Sequence, residues 1–232
     1  MGVLHPARMQ PYLEATQHNE MHALALYQWH TELAAAVQQI LGITEIVLQN
    51  AMDARLQWCN RANGGMSDSW LLSPPVPPLR SLIERKRVSA LRAASHNALR
   101  RRPGHQRYGQ KVQHNDVLAQ VMFGMWKDLL PNQTAEASLT SLKNLNRDRL
   151  WDEALREAFP HISDSDGSIT FWRVADLHRL RNRVSHMEPL LDENLQSLMR
   201  QAFSLMKSIE PAVEAWVTGF NRVPDVLRAR PY

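Results

Sequence analysis

The sequence predicts an all-α fold, and three observations carry that expectation. Apolar residues recur at helical spacing along most of the chain, no segment alternates apolar and polar residues with strand period, and the breaks fall at Gly, Pro and Asn clusters. The chain of 232 residues is long enough to bury a sizeable core as one domain or a tightly packed pair. Its 44% hydrophobic and 22% charged content is that of a soluble globular protein.

The elements follow in order. Asn19 can cap a helix whose apolar positions Leu24, Tyr27, Leu33, Val37, Ile40 and Leu41 recur at helical spacing. Gly42 is expected to bend it, with Ile46, Val47, Ala51, Ala54 and Trp58 carrying a second stretch that stops at Asn63-Gly64-Gly65. Ser73 to Pro78 is a stiff, non-helical connector with four prolines. A helix starts near Leu79 and breaks at Pro103-Gly104. His114-Asn115-Asp116 then caps an amphipathic helix bearing Val117, Leu118, Val121, Met122, Met125, Trp126 and Leu129, stopped by Pro131. A polar stretch through Asn146 leads to a short helix with Leu150, Trp151, Leu155 and Phe159. After the Asp164 to Ser168 turn, Ser168 or Thr170 caps a helix running to about Met187, because Pro189 forbids continuation. Leu195, Leu198, Met199, Ala202, Phe203 and Met206 mark the last long helix, interrupted at Pro211.

Composition excludes several classes. Cys59 is the only cysteine, so neither an intramolecular disulfide nor a multi-cysteine zinc site is available, and a reducing cytoplasm is the plain expectation. The longest charge-free run near the N-terminus, Leu33 to Thr44, is too short to span a bilayer, and no basic start precedes an apolar run as in an export signal. His18 and His22 have i,i+4 spacing but lack the neighbouring acid of zinc enzymes, so no metal site and no cofactor is expected. Cys59 has no evident base partner and reads as a packed thiol. His105 and His114 flank a basic loop and read as RNA-facing or merely exposed.

Charge is unevenly placed. Residues 80–111 hold ten Lys or Arg against Glu84 alone, a net +9, which leaves −5 for the remainder of a chain of formal charge +4. Such a segment suits a polyanionic partner. Equally open is a solvated helix face whose Arg stems cover apolar surface.

The stretch Arg179 to His186 (RLRNRVSH) carries the chemistry. At about 100° per residue, Phe171, Val174, Leu177, Leu180, Val184 and Met187 form an apolar arc, and His178, Asn182, Ser185 and His186 a polar one. Arg181 lies at the edge of that arc, roughly 140° from His186. Two copies about a twofold axis could each offer Arg181 and His186 to one shared cleft. An imidazole can take the proton of a ribose 2′-hydroxyl or give one to the departing 5′-oxygen. A guanidinium can hold the phosphate and its developing charge, and an amide can position the backbone. Composition alone yields an Arg-Asn-x-x-x-His hexad about 0.05 times per such chain, so the motif by itself suggests but does not decide.

The surroundings of the motif add to it. Leu180 to Pro189 (LRNRVSHMEP) resembles the signature of the Abi-like, abortive-infection proteins of the HEPN ribonuclease superfamily. Glu45 to Ala51 (EIVLQNA), His114 to Trp126 and Leu150 to Leu155 are similar to other elements of that family, in the same order along most of the chain. The resemblance implies a single HEPN-type helical bundle over residues 1–232 with additional peripheral helices, the basic 80–111 segment being an RNA-binding insertion or arm. It implies a homodimeric, metal-independent endoribonuclease of phage defence or toxin–antitoxin systems, leaving 2′,3′-cyclic phosphate ends and sometimes working with a non-coding RNA partner. On that reading Arg181, Asn182 and His186 are catalytic, with Glu45, Asn50 and Ser185 in support. RNA contacts then fall to Lys86, Arg100, Arg101, Arg102, Arg107, Lys111 and Arg183. Glu45 is expected to seek a partner, Arg181 or His186 among the candidates, a purely structural hydrogen bond being the alternative. Two departures stand out. Gln49 occupies a position where the family usually has Arg, and Met187 one where a second His is common. The rival of another class is a non-catalytic RNA-binding protein that holds a structured RNA on the same surface.

Overall fold

The computed structural model describes residues 4–134 and 141–232. Among the described residues every regular element is helical: ten α-helices and one short 3-10 segment, with no strand. The all-α expectation holds. By packing the chain divides into two compact units, one of residues 1–46 and 176–232, the other of residues 47–175.

The first unit opens with a helix that periodicity does not reveal, α1 (Pro6–Ala15), with Pro6 in its first turn and His5 as N-cap. Next comes α2 (Glu20–Ala62), capped by Asn19, whose Oδ1 accepts the His22 N–H at 3.1 Å. Gly42 does not interrupt α2, which is helical on both sides of it. Leu26, Trp29, Leu33, Val37, Ile40 and Leu41 form its buried stripe, whereas Leu24 lies outward. By length and composition α2 could cross a membrane, with a window of mean hydropathy 1.3. A core helix of a soluble protein has the same character, and the fully buried stripe is compatible with that.

The C-terminal part of α7 (Ser168–Ser185) belongs to this unit, followed by α8 (Leu195–Ile209), α9 (Pro211–Thr218) and α10 (Val223–Arg228). Leu195, Leu198, Met199, Ala202, Leu205 and Met206 line one face of α8, as its spacing requires. The Trp29 indole N–H donates to the Val226 carbonyl at 2.6 Å and fixes α10 on α2.

In the second unit, α2 buries Leu48, Met52, Leu56 and Cys59; of the set Ile46, Val47, Ala51, Ala54 and Trp58 picked out from sequence, Val47 and Ala51 are half-buried and the other three are exposed. The buried arc also carries Asp53 and Asn60, so a polarity-based reading rejects it in favour of the wrong face. After the proline connector come α3 (Leu79–Leu99), α4 (His114–Leu118) and α5 (Phe123–Leu129). The single amphipathic helix expected over 114–129 is thus broken. Phe123 is fully buried though it lies off the apolar arc, and Met122, placed on that arc by spacing, is 73% exposed. A continuous helix could not bury Phe123 together with Val117 and Leu118. The cap is Gln113, in a reciprocal capping box with Asp116. Helix α6 (Leu142–Glu153) begins earlier than expected, capped by Ser141, and Leu155–Ala158 continues as a 3-10 turn. Trp70 and Trp126 meet edge to face at the centre, centroids 6.1 Å apart.

Candidate functional site

The motif helix α7 is started by an acid in the preceding turn. Asp164 accepts the N–H groups of Ile169 (3.3 Å) and Thr170 (2.8 Å) and the Thr170 hydroxyl (2.7 Å), so neither Ser168 nor Thr170 is the cap. Leu177, Leu180 and Val184 are buried and fix the rotation of α7 within the first unit. The helix ends in a Schellman motif: Glu188 N–H bonds the Arg183 carbonyl at 2.9 Å and Met187 N–H the Val184 carbonyl at 3.0 Å. Met187 sits at φ 52°, a left-handed position usually given to Gly. His186 is therefore the capping residue, one past the helix, and its side chain is exposed.

Arg181 meets Glu45, its Nε 3.6 Å from Glu45 Oε2, with the side chains 31% and 18% exposed. The acid is half-buried, and Arg181 is one of the two partners sequence reading allowed it. Asn182 Nδ2 lies 3.3 Å from His178 Nε2 on the next turn. Ser185 is exposed. Asn50, in the second unit, is exposed as well. Arg183, expected on RNA, is tied to its own chain: it bonds Glu193 and the Pro189 carbonyl and lies 3.4 Å from Glu188. Its guanidinium holds the turn after α7, a structural use that its charge in the sequence does not distinguish from a ligand contact.

A cleft of about 440 Å³ opens beside His186, lined also by His5, Arg8, Glu188 and Pro189. Arg181 does not line it, consistent with the angular separation of the two around the helix. The cation that does is Arg8 of α1, whose Nη1 donates to the Met187 carbonyl at the end of α7. Arg8 and His186 are 178 residues apart, and no local signal in the sequence joins them. His5 accepts the Ala7 N–H on Nδ1 at 3.2 Å, which puts its ring proton on Nε2. Close by in the same unit His30 is fully buried between the Tyr12 hydroxyl (2.9 Å, Nδ1) and the Glu188 carbonyl (3.1 Å, Nε2). The carbonyl can only accept, so His30 carries its proton on Nε2 and Tyr12 donates to Nδ1. Burial lowers the His30 pKa, outweighing the Glu188 carbonyl bond, and Arg8 pushes the same way. Burial likewise pushes the Tyr12 hydroxyl up to about 12.

In the second unit the basic segment proves heterogeneous. Lys86 is paired with Asp128, and Lys111 is exposed. Arg101 and Arg107 both clamp Asp116. Arg100 and Arg102 are exposed. The expectation that the whole Arg100-Arg101-Arg102 run stands free is corrected at Arg101, whose side chain is 10% exposed and also bonds the carbonyls of Arg107 and Gln110.

Sequence reading also missed a buried polar chain. Ser69 Oγ lies 2.7 Å from His114 Nδ1, and His114 Nε2 lies 3.0 Å from Asp53 Oδ1. Asp53 further accepts the Trp70 indole N–H (2.7 Å) and the Gln57 amide (2.7 Å). His114 is thus neither RNA-facing nor merely exposed. The order hydroxyl, imidazole, carboxylate is that of an activated nucleophile. Ser69 Oγ already accepts the Leu72 N–H at 3.0 Å, however, and the residue is 8% exposed, so we assign the chain to structure. Groups of three or more His, Cys, Asp or Glu able to hold a metal ion do not occur among the described residues. Comparison with family models, curated proteins and solved structures returned no match to this chain.

Proposed function

We propose that the protein is an endoribonuclease of HEPN type, acting without metal from Arg181, Asn182 and His186, in the cytoplasm and as a homodimeric effector of phage defence or a toxin–antitoxin pair. One observation carries this reading. On a single helix anchored by its apolar stripe, Arg181 is held by Glu45, Asn182 faces the polar arc, and His186 is presented to solvent at the helix end beside a cleft with Arg8. In the reaction, His186 accepts the 2′-hydroxyl proton as the 2′-oxygen bonds to phosphorus. The phosphorus–5′-oxygen bond breaks, and the leaving oxygen takes a proton from an acid such as the imidazole of a second copy. Guanidinium groups hold the charge that builds on the phosphate oxygens. Products carry 2′,3′-cyclic phosphate and 5′-hydroxyl ends.

The experiment is incubation of the purified protein with total RNA in EDTA, with new ends mapped by sequencing. Cleavage continues in EDTA, and His186→Ala lowers it by about 10²- to 10⁴-fold, the usual contribution of a positioned acid or base. Arg181→Ala and His186→Ala chains mixed together recover part of the activity if the site is composite. Wild-type cleavage by His186→Ala, or 5′-phosphate ends restored only by Mg²⁺, overturns the reading. A second reading, a protein that holds a structured RNA without cutting it, draws on the free cations of the basic segment, Arg100, Arg102 and Lys111, and needs no catalysis from His186.

A further inference from the structure

The turn after α3 folds back so that Arg100, Arg101, Arg102, His105 and Arg107 line a concavity of about 660 Å³ together with Asp116. That volume is within the range of small-ligand sites. Four guanidiniums against one carboxylate give it a formal charge of +3. The cations have two different roles. Arg101 donates to Asp116 Oδ1 at 2.6 Å and Arg107 bonds Oδ2, so this pair and its acid form a fixed floor. Burial pushes the Asp116 carboxyl up, but the Gln113 N–H and the two guanidiniums outweigh it and hold it below the usual carboxylate range.

The remaining donors have no acceptor on the protein. Arg100 and Arg102 make no side-chain hydrogen bond or ion pair among the described residues. His105 accepts the Arg107 N–H on Nδ1 at 3.0 Å, which leaves its Nε2–H as a donor. Arg100 and Arg102 thus add two guanidiniums that no protein group occupies to a concavity whose floor is already cationic. We infer that this concavity binds the terminal phosphate monoester of a nucleotide chain or nucleotide. A monoester brings close to two negative charges and three acceptor oxygens to a site of charge +3, whereas an internal diester brings one charge. The inference rests on the RNA reading only for the source of the phosphate.

The test uses the full chain, at low salt, with three probes: a 2′-O-methyl oligoribonucleotide bearing a 5′-phosphate, the same oligonucleotide with a 5′-hydroxyl, and adenosine monophosphate. The phosphorylated oligonucleotide binds at least tenfold more tightly than the hydroxyl form. The Arg100→Ser, Arg102→Ser double variant abolishes that difference, and its melting temperature stays at the wild-type value because the Arg101–Arg107–Asp116 floor is untouched. Competition by adenosine monophosphate at matching concentration identifies a free nucleotide as the source; its failure to compete identifies an RNA end. Equal binding of phosphorylated and hydroxyl oligonucleotides overturns the inference, even if both weaken in the variant. Failure of His186→Ala to alter cleavage overturns the nuclease reading instead and leaves this binding result standing.

Discussion

Asp53 gives the sharpest stability prediction. Its carboxylate is 9% exposed and accepts three side-chain donors, Trp70 Nε1, Gln57 Nε2 and His114 Nε2, at 2.7, 2.7 and 3.0 Å. Asp53→Asn keeps the shape, and its carbonyl can still serve Trp70 and His114. The Gln57 amide can turn to accept from the new NH₂ group. What is lost is the charge on the acceptor, which lowers each of two bonds by about 1 kcal/mol, or about 2 kcal/mol in all. Asp53→Leu removes the acceptor and strands the indole and imidazole N–H groups in a buried site, at about 1–3 kcal/mol each, so about 4 kcal/mol in all. The assay is urea denaturation followed by circular dichroism, fitted to one or two transitions as the curves require. The order wild type, Asn, Leu is the signature of a network whose value lies in satisfied donors. A Leu variant within 1 kcal/mol of wild type, or an Asn variant as unstable as Leu, refutes the reasoning.

Other perturbations follow from the same structure. His30 is buried with a lowered pKa, so the unfolded chain takes up its proton first, near the ordinary 6.5. The stability His30 contributes is therefore fully present above that pH and lost as pH falls through the lower folded value. Melting temperature measured from pH 7.5 to 4.5 drops more steeply for wild type than for His30→Gln, and equal slopes count against the account. Gly167 has φ +73°, and a Cβ there would lie 2.9 Å from Pro131 and 3.0 Å from Trp151. Gly167→Ala adds left-handed strain of about 1–2 kcal/mol to overpacking of about 1–3 kcal/mol. Gly109→Ala, at φ +71° with nothing within 4 Å, carries the strain alone; equal losses at the two positions in denaturation experiments would show that the close approach to Pro131 does not matter.

The helical class and most helix ends are legible in the chain because caps and breakers act within a few residues. Asn19 opens α2 and Pro211 interrupts the helices after Leu195 as local chemistry requires. Legibility fails where a buried polar group shares a face with the core. Asp53 and Asn60 hid the buried arc of α2, and His30 sits fully buried on α2 in line with Leu26, Leu33 and Val37, where its polarity and not its spacing hid it. It also fails where a side chain's role depends on a partner distant in sequence. Arg8 reaches the end of α7 across 178 residues, and His114 finds Asp53 across 61. The same limit divides the basic segment. Arginine identity and spacing are alike at positions 100, 101 and 102, yet Asp116, 15 residues beyond Arg101, claims that one alone and leaves its two neighbours free. Charge patterning thus locates a cationic surface, but which cations can meet a ligand is settled by the carboxylates and carbonyls that folding brings to them. For the motif helix that argument runs the other way: Glu45 claims Arg181, the turn after α7 claims Arg183, and His186, with Ser185 beside it, is left facing solvent at the helix end.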